Sequence, residues 1–223
     1  LGVLGQLQGE YEKAALAFEE GLVCAQRSGY TRMEALIAIG LGDLSTELED
    51  FSVAQLNYRH AEEIVHEMDD RFLLFYLIMA QAILMLLQKK ITQAHQFISN
   101  ASGLIQSSDS LYEKGLLNFV LGRLFLMEGN PSQAINQLQE AERCFLEDGR
   151  KMESAANRIW LTAAHYQTKN YKVARQMATN IFGGRAQVAH GILIAVHQAR
   201  SWLNGLEGDV EVGRVVGDLH TRA

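Results

Sequence analysis

A chain of 223 residues with a hydrophobic fraction of 48% is long enough to bury a sizeable interior and has the composition of an ordinary folded protein. Twenty-six acidic against 20 basic residues leave a net charge of −6, the wrong sign for a surface that neutralises phosphates, and the densest basic spot is only the pair Lys89-Lys90. Direct nucleic-acid binding is therefore not expected, and neither of the two cysteines, Cys24 and Cys144, has the CxxC partner that a structural zinc site needs.

The chain is written in units. Alanine returns at positions 14, 54, 94, 134 and 174, a spacing of 40 residues, and its neighbours return with it: Tyr11, Phe51, Ile91, Pro131 and Tyr171 three residues before, Phe18, Tyr58, Ile98, Leu138 and Ala178 four residues after. A fixed period in this range signals a solenoid, whose units bury their apolar faces only against their neighbours. Each unit reads as two helices, A and B, with no β-strand alternation of any length.

Taken in order, residues 1–9 fall part-way through a unit, so the chain is expected to be a piece of a longer protein. A first B helix covers 10–28 and ends at Gly29. Thr31 with Glu34 has the spacing of a capping box opening an A helix over 31–48. Asp50 is an N-cap type ahead of a B helix over 51–68. Asp69-Asp70 precede an A helix over 71–88, whose run from Phe72 to Leu87 is apolar except for Gln81. Sixteen residues of helix span ~24 Å, short of the ~30 Å hydrocarbon core of a bilayer, so the run predicts a buried helix. A B helix over 91–107 follows, then Ser110 and Glu113 as a second capping box for an A helix over 111–128. Gly129-Asn130-Pro131 supplies a C-terminal glycine, an N-cap asparagine and a proline at the first helical position. Helices over 131–147, 151–168 and 171–182 complete the regular part. Gly183-Gly184-Arg185 breaks the register, and 187–223 read as a degenerate terminal unit with a helix over 188–203, leaving 1–186 as regular repeats.

Cys24 and Cys144 stand 120 residues, three periods, apart. Packed helices lie ~8–10 Å from each other, so three unit steps exceed the reach of a disulfide. Both are expected to be small buried residues of a reducing, cytoplasmic compartment.

The pairs Leu1-Gly2, Leu41-Gly42 and Leu121-Gly122, each twelve residues ahead of the repeated alanine, together with Ala14/Phe18 and Ala54/Tyr58, resemble the tetratricopeptide pattern. Gln81-Ala82 and Leu161-Thr162 are weaker matches in the same slot. A small residue there lets helices A and B cross closely, beside Ala54, Ala94 and Ala134. The pattern's tryptophan slot holds Ala38, Ile78, Asn118 and Arg158, its closing proline is missing, and the period is 40 rather than 34. The resemblance covers about residues 1–182 and implies an all-α right-handed superhelix of antiparallel hairpins. Units of this length with long helices are also similar to the sensor arms of MalT-like, LuxR-type and antibiotic-regulatory-protein-type bacterial transcriptional activators. There, such an array binds an inducer or partner protein and controls a separate DNA-binding domain.

In the tetratricopeptide family one stripe of helix A lines a concave groove. Carried onto this chain, the stripe includes Asp43, Thr46 and Glu47 in one unit, Tyr76, Met79 and Ile83 in the next, Phe119 and Arg123 in the next, and Tyr166 in the last. The expected contacts are apolar at Tyr76, Met79, Ile83 and Phe119, an anchor for a carboxylate at Arg123, and a closing ring at Tyr166. The A helix over 71–88 is apolar all round, so an open patch would mark a binding surface. The alternative is that a tightly wound superhelix, or the C-terminal helix, fills the groove itself.

No set of reacting groups converges in sequence. Glu62 and His66 have the i, i+4 spacing of a metal pair, for which a solvated helix face is the simpler reading. Neither a phosphate-binding loop nor a nucleophile elbow occurs. The expectation is a non-catalytic module without cofactor or metal. It would take a peptide, partner helix or small inducer, without contact to nucleic acid or membrane. Self-association of the same apolar surface is the second possibility.

Overall fold

The structure is a computed structural model, and it describes residues 1–182. The expectations for the break at Gly183 and for a terminal unit over 187–223 lie outside the described residues. Ten α-helices and no strand are found among the described residues. They are α1 (Gly2–Gln8), α2 (Tyr11–Ser28), α3 (Thr31–Glu47), α4 (Phe51–Glu67) and α5 (Arg71–Leu87), followed by α6 (Ile91–Leu104), α7 (Leu111–Met127), α8 (Pro131–Glu147), α9 (Lys151–Gln167) and α10 (Tyr171–Phe182). Two compact units hold them: Leu1–Ser108 with α1 to α6, and a second that begins at Asp109 with α7 to α10. Within the first unit α1 to α6 pack on one another in sequence, and α3 also meets α1 and α5. Within the second, α7, α8, α9 and α10 pack in sequence and α7 also meets α9.

The turns explain why the helices stop where they do. Gly9, Glu49, Lys89, Gly129 and Lys169 all adopt left-handed backbone, φ between 58° and 75°. The amides that follow them, on Glu10, Asp50, Lys90, Asn130 and Asn170, each donate back to the carbonyl five residues earlier at 2.8–2.9 Å. This is the 6→1 bond of a Schellman motif, which satisfies carbonyls the helix end would otherwise leave bare. Gly29 and Gly149 close α2 and α8 with the same bond, from Tyr30 and Arg150.

The caps are partly those expected. Asp50, Asp70 and Ser110 accept from the amides of Val53, Leu73 and Glu113 at 3.2, 3.0 and 3.2 Å. The Thr31–Glu34 capping box does not form. Tyr30 occupies the N-cap, which moves Thr31 into the helix. Glu34 instead accepts from Gln26 of α2 at 3.0 Å and meets His60 of α4 at 3.1 Å, so it joins three helices. Helix α6 ends at Leu104, three residues before the expected 107.

Three of the hairpins have a large side chain lying on bare backbone. A Cβ on Gly122 of α7 would meet Leu138 of α8 at 2.5 Å, one on Gly2 would meet the Phe18 ring at 2.7 Å, and one on Gly42 of α3 would fall into the Tyr58 ring of α4. The sequence reading set these glycines against the recurring alanines. At Gly122 the alanine is present, through the Ala134 carbonyl at 3.4 Å, but the tight contact is with the bulky residue four positions on. Helix α5 is a core helix, as its apolar run predicts: Leu73, Phe75, Leu77, Met79, Ala82, Leu84 and Leu86 are buried. No helix among the described residues is long and apolar enough to cross a membrane.

Cys144 is buried and Cys24 is exposed, so only one of the two is the core residue expected. The Cβ of Cys144 packs beside Gly115 of α7.

The glycine contacts make a direct prediction. Gly122→Ala forces Leu138 aside and lowers stability by about 1–3 kcal/mol. Gly103→Ala in α6, where an added Cβ meets nothing within 4 Å, is neutral or stabilising by up to ~1 kcal/mol. Urea unfolding midpoints of the two variants, measured side by side, check the contrast.

Candidate binding face

In the first unit a polar cluster forms on the faces of α3 and α5 that the sequence reading assigned to a groove. Asp43 stands one residue after Gly42, and the space that glycine leaves brings in the Tyr58 ring. The Tyr58 hydroxyl therefore reaches Asp43 Oδ1 and donates to it at 2.7 Å, while lying 3.1 Å from Thr46 Oγ1. Thr46 in turn donates to the Gly42 carbonyl at 2.8 Å. Tyr76 of α5 donates to the other carboxylate oxygen, Asp43 Oδ2, at 3.0 Å. One carboxylate thus holds α3, α4 and α5 together.

Burial pushes the Asp43 carboxyl up to about 6, although the two phenol donors act in the opposite direction. One helical turn on, burial pushes Glu47 up to about 7; the Gln6 side chain of α1 lowers it by hydrogen bonding and the Asp43 charge raises it. The Tyr58 phenol is raised well above its ordinary value, by burial first and then by the Asp43 charge. Burial and the Glu47 charge also raise Tyr11 of α2. None of the ion pairs among the described residues involves Asp43 or Glu47.

The named candidates divide by exposure. Tyr76 and Ile83 are half-buried on α5 and present part of their side chains outward. Met79 lies between them in sequence but is fully buried, a core residue that supports this face from behind. In the second unit Phe119 is half-buried, and its ring meets Phe145 edge-on at 6.5 Å. Arg123 is only 2% exposed, with its guanidinium 4.5 Å from the Trp160 ring and 5.6 Å from Phe119. Both are cation–π contacts, and burial lowers the guanidinium pKa to about 10. The expected anchor is thus enclosed by aromatic rings of its own unit rather than held out on a surface. Tyr166 is half-buried and packs edge-on against Tyr171 at 5.1 Å.

Sequence reasoning placed Asp43 and Tyr76 on one stripe but did not pair them, and it gave Tyr58 no polar role. The only signal was that Tyr58 carries a hydroxyl where the equivalent Phe18, Ile98 and Leu138 carry none. Glu62 and His66 lie 3.8 Å apart on an exposed face of α4, and no group of three metal-ligating side chains is found among the described residues.

Against this geometry the comparisons with known proteins speak to architecture. The crystal structure of BtubC (BKLC) from P. vanneervenii is similar, with a TM-score of 0.63 and 16% sequence identity over 94% of this chain and 85% of that one. At that identity the likeness supports the all-helical fold alone. No protein-family model and no curated protein matches the chain.

The raised Asp43 carboxyl has a measurable consequence. The folded state keeps the Asp43 proton up to about pH 6, whereas the unfolded chain loses it near 3.8. Its contribution to stability is therefore full below the lower value and falls as pH rises to the upper one, by on the order of 3 kcal/mol. Denaturant midpoints of the wild type and Asp43→Asn, compared from pH 4 to pH 8, are expected to converge with a slope that favours the variant as pH rises.

Proposed function

We propose that this chain is a non-catalytic binding module, a tetratricopeptide-like helical array that takes up a peptide or partner helix on the α3–α5 face of its first unit. The observation that carries the reading is the combination there of half-buried Tyr76 and Ile83 with the Asp43 carboxylate fixing the tyrosine. Such a surface offers apolar contact and a few oriented polar groups, the ordinary make-up of a helix- or peptide-receiving face. Phe119 and Tyr166 supply comparable half-buried aromatic surface in the second unit. A small apolar inducer is a narrower form of the same reading. The similarity of unit length to the sensor arms of bacterial transcriptional activators supports a place for the module in such a regulator. The free thiols of Cys24 and Cys144 fit the cytoplasm that this implies.

The test is a selection of peptides from a displayed library against the whole chain. Binders are then measured by calorimetry on the wild type, Ile83→Arg and Phe119→Ala, with circular dichroism as the check on folding. A loss of affinity of about tenfold or more in Ile83→Arg is expected, since one central interface side chain is commonly worth at least ~1.4 kcal/mol. Unchanged affinity in a folded Ile83→Arg removes the face.

A second reading, self-association, is favoured by the exposed Leu16 and Val23 of α2 and Val53 and Leu56 of α4. Exposed apolar side chains on helices are common contacts between copies of a chain. Light scattering across a dilution series is then expected to show a mass that falls with concentration; a constant monomer mass overturns it.

A further inference from the structure

One turn before Tyr76, helix α5 presents a second aromatic ring. Phe72 is 40% exposed, and its ring lies parallel to that of Tyr76, within 1°, with centroids 6.3 Å apart. Residues 72, 76 and 83 share one side of the helix. The two rings and half-buried Ile83 therefore form a single strip, aromatic at one end and aliphatic at the other. The Tyr76 hydroxyl donates to Asp43 at 3.0 Å, and a phenol that donates to a carboxylate gains electron density in its ring. The faces of aromatic rings carry negative potential and attract ammonium and, more often, guanidinium groups.

The charge of the unit points the same way. Residues 1–108 include 14 acidic and 7 basic side chains, a net charge of −7, whereas the rest of the chain is nearly balanced, with 12 against 13. On the α3 side of the face, Asp43 takes part in no ion pair among the described residues. Arg32, eleven residues earlier on the same stripe of α3, is already held by Asp70 at 2.8 Å. A second copy offering its own first unit would bring like charge against like, and nucleic acid and anionic lipid are repelled for the same reason. The occupant that complements this face is basic.

We propose that the α3–α5 face receives a basic peptide segment, one of whose arginines lies on the Phe72 and Tyr76 rings while an apolar side chain further along meets Ile83. The inference rests on the binding-module reading and adds the charge of the partner. Arginine suits the rings better than lysine because its planar guanidinium stacks on an aromatic face and keeps its edge donors available. Phe72 to Ile83 is eleven residues, ~16 Å of helix, so the segment covers at least three helical turns.

The test uses synthetic 18-residue amphipathic helices with leucine on one stripe, glutamine elsewhere, and either arginine or glutamate flanking the stripe. Their binding to the full chain is read by fluorescence anisotropy at pH 7.5. The arginine peptide is expected to bind at least about tenfold more tightly than the glutamate peptide, with an affinity that weakens as salt is added. Phe72→Leu, which keeps an apolar side chain and removes the ring, is expected to cost the arginine peptide about two- to fivefold. Equal affinity for the two peptides overturns the proposal, and so does a folded Phe72→Leu that binds the arginine peptide like the wild type. In that last case, lost affinity in Ile83→Arg keeps the face and removes only the arginine; unchanged affinity in both variants removes the face as well. A dimer mass in light scattering that Phe72→Leu returns to monomer makes a second copy the occupant and also overturns it. Should Phe72→Leu fail to fold, ring-proton NMR of the wild type decides: Phe72 and Tyr76 signals that shift with the arginine peptide support the proposal, and signals that stay overturn it.

Discussion

Everything in the first unit follows from a tyrosine lying against a glycine. Gly42 has no side chain where α3 crosses α4, and the Tyr58 ring fills the space. Dispersion between a ring and bare backbone is non-directional and would be served as well by Phe18 or Leu138, which take the same position over Gly2 and Gly122. The hydroxyl is what differs. It emerges from the crossing beside the very next residue, Asp43, so that a packing contact common to several hairpins becomes, in one of them, the support of a half-buried carboxyl. Remove the glycine and the ring moves; move the ring and Asp43 loses the donor that makes its burial tolerable.

That dependence explains why the cluster spans three helices without an ion pair. A carboxylate in a low-dielectric interior needs either a cation or several hydrogen-bond donors. Here Tyr58 and Tyr76 supply the donors and each comes from a different helix, so the bond network also fixes the spacing of α4 and α5 around α3. Neutral donors give less than a cation would, which leaves both Asp43 and Glu47 raised and makes the pair sensitive to pH in a way that an arginine-paired site is not. Arg32 with Asp70 shows the other solution close by in sequence, at 2.8 Å on a more exposed surface.

How much of this could be read in advance depends on how local the cause is. Helix starts at Phe51, Leu111 and Pro131 were legible because a cap or a proline acts within four residues. The left-handed residues Glu49, Lys89 and Lys169 were not, since a glycine would have announced the turn and these side chains do not. Thr31–Glu34 had the letters of a capping box, but the contacts of Glu34 with Gln26 and His60 are tertiary and outweigh them. The candidate site fared in the same manner. A stripe of equivalent positions was visible, because helical spacing alone decides which residues share a face. Which members of the stripe stay open was not visible: Met79 and Arg123 occupy stripe positions yet are enclosed, because their neighbours' sizes, not their own spacing, decide burial.

Asp43 and Arg123 hold equivalent positions two periods apart, with Ile83 between them in sequence. One is an acid among phenols and the other a base among aromatic rings, each within its own unit. An isoleucine in the same place shows that the fold accepts an apolar residue there. Burying a charge where a hydrophobe fits seldom adds stability, since the desolvation penalty rivals whatever the partners return. Fold maintenance is thus a poor reason for either charge. What a charge does on the A-helix stripe that isoleucine cannot is orient a neighbouring side chain, as Asp43 does for Tyr58 and Tyr76. Asp43 is hydrogen-bonded to half-buried Tyr76 and Arg123 lies over half-buried Phe119, so in each unit the charged group meets an aromatic side chain that is only partly covered.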